Sequence, residues 1–363
     1  MKEIKRNISI AQEHVRKLNL DLKGLTVVTE CASKAYGFTP FMAALAGANV
    51  IAVGRDSMYG SFEENKKGIE TLCAEVGSQG SITYVEGEIN DETLSKGDIY
   101  TNSGFLRPFS EAKIAKMKST AMICLMWETW EVRDGEVDIA SCQKYGIPLV
   151  GTNENFEDAN MFCYPGMLAL KLLFEMGAEI GNNQIVLLGG GLTGRLIHKT
   201  FQDLGLSVNW YVSEDHIEEG AQPYSSLKEV LDFPRLDVVL CADHVSKMNI
   251  ISEGSYLTFE ELYNAHPYSK YGHICGGINV EELKNSDIEF YPPKINSIGY
   301  MSYETVELGW EPVILLNCAG LKVGEIVAKN RLNGVSLEDS IRAAVDYGIG
   351  MDFKGGFMNY GRN

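Results

Sequence analysis

Three consecutive glycines, Gly189 to Gly191, stand between the apolar run QIVLL and the helical pattern RLIHKTFQDLGL, and Gly194 follows three residues later. Glycine disfavours both strand and helix, so such a cluster needs a local cause. The stretch Gly189-Gly190-Gly191-Leu192-Thr193-Gly194 has the spacing GxGxxG. Between a strand and a helix, that spacing builds a dinucleotide site. Gly189 permits the turn, Gly191 lets a pyrophosphate approach the backbone, and Gly194 lets helix and strand pack closely. Leu192 and Thr193 fall in the first helical turn, whose unpaired N–H groups and partial positive charge favour an anion. The next strand, SVNWYV, ends in Ser213-Glu214-Asp215, about where an acid meets an adenosine ribose. Either Glu214 or Asp215 fits, and an acid rather than an arginine favours NAD over NADP. Cys241, Ala242, Cys275 and Gly276 close the following strands and are expected to line the same site. The competing reading is a glycine-rich turn that holds no ligand.

Other residue types at strand ends could do chemistry, because strand carboxyl ends face the ligand crevice of a doubly wound sheet. Glu128 follows the run AMICLMW and is the first candidate for acid/base work or for binding a cationic or hydroxyl-bearing group. Arg133 could grip an anionic group with two parallel hydrogen bonds, or pair on the surface with Glu131 or Asp134. His244 closes DVVLCAD, near the expected nicotinamide half, where a histidine can shuttle protons at neutral pH. In the opening turns, Lys34, Tyr36 and Arg55 stand where they could line a substrate site, and a desolvated Lys34 could act as a base. A plain polar loop is the alternative for each.

The elements that must position these residues alternate along the chain. LTVVTE, NVIAVGRD, SITYVEGE, DIYTNS, AMICLMWE and IPLVGT read as strands, with helices over residues 39–48, 62–77, 110–119 and 134–146 between them. A second run follows an apolar linking helix over 161–181: QIVLLGG, SVNWYVSE, DVVLCAD, GHICGG, IEFYPP and, as its last strand, VILLNCAG. The order predicts an α/β fold of two Rossmann-like, doubly wound parallel-sheet domains joined by linking helices. Residues 1–155 are expected to form a flavodoxin- or Rossmann-like substrate domain, 156–320 an NAD-binding domain, and 321–363 helices returning to the first. The 363 residues carry a formal net charge of −17, which argues against nucleic acid and anionic membrane as partners. No apolar run reaches transmembrane length, and the start, with no apolar core after its charges, is not expected to act as a signal peptide. The eight cysteines are scattered without CxxC, as expected of buried thiols in a reducing cytoplasm, and the six histidines show no metal-ligand spacing.

The order of parts resembles the D-isomer-specific 2-hydroxyacid dehydrogenases, with formate dehydrogenase and S-adenosylhomocysteine hydrolase as relatives. The resemblance covers roughly residues 95 to 330. It rests on the segment from DIYTNSGFLRPF to YGIPLVGTNE, on the glycine turn, and on PVILLNCAG, which is similar to the family's closing motif. It implies a substrate domain, an inserted NAD domain and a homodimer. It also implies that the Asn102-Ser103-Gly104 loop holds a substrate carboxylate through backbone amides. Two departures stand out: Asn317 lies where the family's proton-moving histidine belongs, and Gly276 where its carboxylate-gripping arginine belongs. Asn317 could still donate a hydrogen bond to a substrate oxygen. The expected function is an NAD-dependent oxidoreductase acting on a small polar metabolite in a cleft between two domains, with altered acid/base groups. The alternatives are a non-redox enzyme with resident NAD and an NAD-sensing binding protein.

Overall fold

Apolar runs without polar alternation make strands covered on both faces, and both sheets are built of them. The computed structural model describes residues 2–77, 80–178 and 180–361. Residues Met1–Met161 with Trp310–Asn363 form one unit, and Phe162–Gly309 a second.

The first unit opens with α1 (Lys2–Lys17), then β1 (Thr26–Glu30), α2 (Phe38–Leu45), β2 (Asn49–Gly54), α3 (Phe62–Val76), β3 (Ser81–Glu86) and α4 (Asp91–Leu94). It continues with β4 (Ile99–Thr101), α5 (Glu111–Ile114), β5 (Met122–Cys124), α6 (Ile139–Tyr145) and β6 (Leu149–Thr152). The second unit holds α7 (Tyr164–Glu175), β7 (Gln184–Leu188), α8 (Gly191–Asp203), β8 (Ser207–Val212), β9 (Gln222–Pro223) and β10 (Val238–Ala242). It ends with α9 (Phe259–Ala265), β11 (Lys270–Cys275), α10 (Val280–Asn285) and β12 (Glu289–Tyr291). The chain then returns to the first unit with α11 (Glu311–Leu332), α12 (Leu337–Asp346) and β13 (Gly350–Met351).

The first sheet runs β13-β6-β5-β4-β1-β2-β3, parallel except for β13, which pairs antiparallel with β6. The second runs β12-β11-β10-β7-β8-β9, all parallel. Both are doubly wound: each reverses its winding direction once, between β1 and β4 in the first and between β7 and β10 in the second. Such reversals open the crevices where α/β proteins bind ligands. In β7, Ile185 and Leu187 join one buried cluster with Leu172, Ile197 and Phe201, whereas Val186 and Leu188 join another with Leu227, Phe259 and Leu262. The two-residue period thus feeds two cores from one apolar run.

Helix ends follow their caps. Ser61 and Glu64 close a capping box on α3, Gly77 ends it in left-handed backbone at φ 65°, and Asp138 caps α6. Two expectations change. The helix expected over 110–119 is a single turn, α5. The expected strand VILLNCAG lies inside α11, a 22-residue helix with Pro312 in its first turn. That helix is buried almost all round, so its sequence lacks the polar stripe that separates a helix from a buried strand. It packs on β4, β5 and β6, and Gly320 and Gly324 permit the approach. A Cβ at Gly320 would lie 2.4 Å from Met126 Cε, and one at Gly324 2.8 Å from Ile99 Cγ2. Residues 310–320 accordingly join the first unit rather than the second. Among the described residues no helix is long and apolar enough to cross a membrane.

Candidate functional site

The glycine turn in the second unit sits at the β7/β10 reversal, and each key glycine is fixed by a close approach. A Cβ at Gly189 would lie 2.3 Å from Ala242 O, and one at Gly194 2.0 Å from Gly189 O. Trp210 Nε1 donates to that same Gly189 oxygen at 2.7 Å, tying β8 to the turn. Gly191, at φ +68°, opens α8, and a Cβ there would meet Val245 Cγ1 at 2.9 Å and His244 Cε1 at 3.4 Å. The cap residue Gly190 has no side chain to offer, so the first turn, with Leu192 and Thr193, carries no side-chain cap. The uncapped N–H groups of a 13-residue helix at a sheet reversal suit a diphosphate. Val245 is the side chain that a diphosphate at Gly191 must share space with.

After β8, Glu214 and Asp215 lie in an exposed single turn. The Glu214 carboxylate accepts from Ser225 N–H at 2.8 Å and Tyr256 Oη–H at 3.1 Å. Burial works against its ionisation, but backbone and side-chain hydrogen bonds outweigh it and hold the carboxyl below its ordinary range. Glu214 is therefore the fixed acid of the two.

At the end of β10, a residue the sequence did not single out organises the loop. Asp243 is buried. It accepts from Tyr224 Oη–H at 2.6 Å, Val245 N–H at 3.0 Å and Ser246 N–H at 2.9 Å. This turn places His244 beside Gly191. Burial lowers its pKa, with the Asp243 charge opposing. Cys241 and Ala242 are core residues, and Cys241 Sγ–H donates to Cys275 O at 3.3 Å. Burial pushes the Cys241 thiol up to about 12 and the Cys275 thiol well above its ordinary value, so neither is a nucleophile. A Cβ at Gly276 would lie 2.8 Å from Cys241 Sγ, which makes Gly276 a packing glycine. Asn317 lies in α11 of the first unit, buried, donating from Nδ2 to Val313 O at 2.7 Å.

In the first unit, the β1/β4 reversal gathers several expected residues. Thr101 Oγ1–H donates to Thr29 Oγ1 at 2.9 Å, and Thr101 Oγ1 also meets Ser103 Oγ at 2.6 Å, linking β1 to the loop after β4. Asn102 is 1% exposed. Its Oδ1 accepts from Met126 N–H at 2.9 Å, and its Nδ2 finds no acceptor among the described residues. The amide loop expected to hold a substrate carboxylate is already engaged by the protein's own carboxylate. Phe105 N–H donates to Glu30 Oε2 at 3.3 Å, and Glu30 also takes a backbone hydrogen bond from Gly104. Arg107 pairs with Glu136, which also pairs with Arg133 at 3.2 Å, and both guanidinium groups lie over the Trp127 ring. Arg133 thus meets Glu136, and its charge also acts on Glu131. Arg55 stands over the Phe105 ring at 5.3 Å. Lys34 is exposed on left-handed backbone at φ 54°, so it is not desolvated, and Tyr36 is exposed nearby in the chain.

Glu128 belongs to a different group. Its carboxylate accepts from Trp130 Nε1–H at 2.6 Å and Glu154 N–H at 3.3 Å, and its own N–H donates to Glu131 Oε1 at 3.1 Å. Burial pushes Glu131 up to about 7, against the Glu128 N–H bond, and burial with the Glu131 charge raises Glu154 well above its ordinary value. A carboxyl raised on folding leaves stability intact below its unfolded value of 4.5 and removes it as pH climbs through about 7. Glu131→Gln is therefore expected to match wild type in urea melts at pH 4 and exceed it at pH 8 by on the order of 1–3 kcal/mol. Identical pH slopes for the two proteins would contradict this.

No family model and no curated protein sequence matches the chain. Solved structures do. A dipicolinate synthase polypeptide from Bacillus halodurans aligns at 12% identity over 86% of this chain and 99% of that one, with a TM-score of 0.52. Its counterpart in dipicolinate synthase from Bacillus subtilis aligns at 13% over 87% and 98%, with a TM-score of 0.51. A Ralstonia solanacearum oxidoreductase, assigned as a D-3-phosphoglycerate dehydrogenase, aligns at 10% over 89% and 100%, with a TM-score of 0.50. The fold of this chain is theirs. The likeness covers most of this chain and nearly the whole of each of the others. At such identity the chemistry has to come from the residues described above.

Proposed function

We propose that the chain is an NAD-dependent oxidoreductase acting on a hydroxy or oxo group of a small polar metabolite. The dinucleotide belongs on the second unit's glycine turn, and the substrate on the first unit's β1/β4 reversal. The observation that carries this reading is the uncapped start of α8 at the β7/β10 reversal, with Gly191 leaving its approach free of a Cβ. Gly191 N–H and its successors in the first turn would hold the diphosphate, and Glu214 would accept from the adenosine ribose. Its ionised carboxylate would repel a phosphate there, which favours NAD over NADP. Bound in this way, the nicotinamide supplies the hydride acceptor or donor. His244, neutral at pH 7 and beside Gly191, is assigned to the diphosphate end and positions rather than moves a proton.

Titration with NAD, followed by tryptophan fluorescence, tests this. Wild type should bind. Gly191→Ala should stay folded, since its Cβ meets only side-chain atoms of Val245 and His244 and a positive φ costs about 1–3 kcal/mol. It should nonetheless bind NAD at least about tenfold more weakly, because the methyl stands where the phosphate approaches. A wild-type chain that does not bind NAD, or a Gly191→Ala variant that binds as well as wild type, ends the proposal.

A further inference from the structure

A buried carboxylate at the end of a central strand is expensive, because desolvation costs several kcal/mol that partners must offset. Glu30 is such a group. It ends β1 beside the sheet reversal and is 9% exposed. Burial raises its pKa, against the Phe105 and Gly104 amides and the Arg107 charge. An apolar residue there would avoid this cost, so packing alone does not explain it. The Phe105 N–H goes to Oε2, and a Cβ at Gly104 would lie 3.5 Å from the same oxygen. A carboxylate has room for more than two donors, so Glu30 can accept from a further one.

Asn102 lies opposite it in the continued strand register. The β1/β4 register pairs Val27 with Ile99 and Val28 with Tyr100, so its continuation sets Glu30 opposite Asn102. Opposed residues on neighbouring strands point to the same side. The Thr29–Thr101 hydroxyl bond at 2.9 Å shows that the pairing persists one step past the ladder. Asn102 Nδ2 is a buried donor with no acceptor among the described residues, a state that is costly unless something else accepts from it. The pair therefore asks one thing of a ligand from each side: a proton donor for Glu30 and an oxygen acceptor for Asn102. A hydroxyl group provides both, whereas a carboxylate provides no donor and meets the Glu30 charge where the amides would have received it.

We propose that Glu30 and Asn102 are the specificity-determining pair of the first unit's site, and that they select a neutral, hydroxyl-bearing substrate over a carboxylate. This rests on the reading of the β1/β4 reversal as the substrate site. The step it governs is recognition, with Glu30 accepting the substrate O–H and Asn102 Nδ2 donating to the same oxygen.

Ligand-observed NMR titrations of the full chain with glycerol and with glycolate test it, using wild type, Glu30→Gln and Asn102→Asp. Wild type should prefer glycerol by at least about tenfold. Glu30→Gln should shift that preference toward glycolate by at least about tenfold, because the charge on the amide loop is gone. Asn102→Asp should weaken glycerol with Glu30 intact, and serves on its own if Glu30→Gln does not fold. A wild-type chain that takes glycolate as well as glycerol, that binds neither, or whose preference is unmoved in both variants overturns the proposal. NAD titration of the same samples separates the two readings. Loss of NAD binding with the glycerol preference intact defeats the cofactor assignment alone, and the converse defeats the substrate pair alone.

Discussion

Gly194→Ala is expected to lose most of the second unit's stability and NAD binding with it. The new Cβ would lie 2.0 Å from Gly189 O, a backbone atom that cannot rotate away. Either α8 lifts from the sheet or the turn moves. Any movement of Gly189 also strips Trp210 Nε1 of its acceptor at 2.7 Å, inside the core cluster that holds Leu187, Ile197 and Phe201. Overpacking of about 1–3 kcal/mol and an orphaned indole N–H of about 1–3 kcal/mol place the loss at roughly 2–6 kcal/mol. Gly205→Ala is the control. Gly205 has a positive φ of +72°, but its Cβ would meet nothing within 4 Å, so only the backbone penalty of about 1–2 kcal/mol remains. Urea melts read by tryptophan fluorescence distinguish them. Equal losses in the two variants would mean that the close approach of α8 is not what Gly194 serves.

This contrast also marks how far the sequence could be read. Gly194 and Gly189 were legible because spacing alone, between an apolar run and a helix, demands close backbone approach. The strands were legible because Ile185, Val186, Leu187 and Leu188 form an apolar run bounded by turns, and such runs are buried on both faces. Residues 311–320 were not. PVILLNCAG is apolar in either conformation, and what makes it a helix is its continuation through Lys322 and Glu325, two charges facing each other inside the fold. Asn317 consequently sits within a helix, bonded to Val313, rather than at a strand end.

The substrate side shows the same limit. The loop at Asn102 to Gly104 was found from its small residues, but its occupant was not. Glu30 lies 75 positions from Phe105, and only the strand order that puts β1 beside β4 brings them together. Asp243 was hidden in the same way, since Tyr224 reaches it from 19 positions away. A sequence names residues that keep local company. Groups that meet through sheet topology become visible only when the order of strands is known.

Glu325→Ala should be the most damaging single change in the first unit. Glu325 and Lys322 face each other at 2.9 Å within α11, where they are 7% and 5% exposed. Around them, Lys322 Nζ–H donates to Asn19 O at 2.9 Å, and Asp21 N–H donates to Glu325 Oε2 at 2.9 Å. Lys329 reaches Glu325 Oε1 at 3.2 Å and Asp21 Oδ2 at 3.0 Å. The network thus joins the central helix to the turn after α1, where Asn19 itself adopts φ 45°. Removing Glu325 strands the Lys322 ammonium in the interior and leaves Asp21 N–H unpaired, a loss of about 3–5 kcal/mol. Lys322→Ala should cost less, because Lys329 and the Asp21 N–H continue to satisfy the carboxylate. The double change Lys322→Met with Glu325→Leu should recover most of the loss, since a buried pair gives little net stability over well-packed apolar residues. Urea melts of the four proteins decide it. If Glu325→Ala costs less than about 1 kcal/mol, or if the double variant is as unstable as the sum of its parts, the pair is solvated and does not anchor α11.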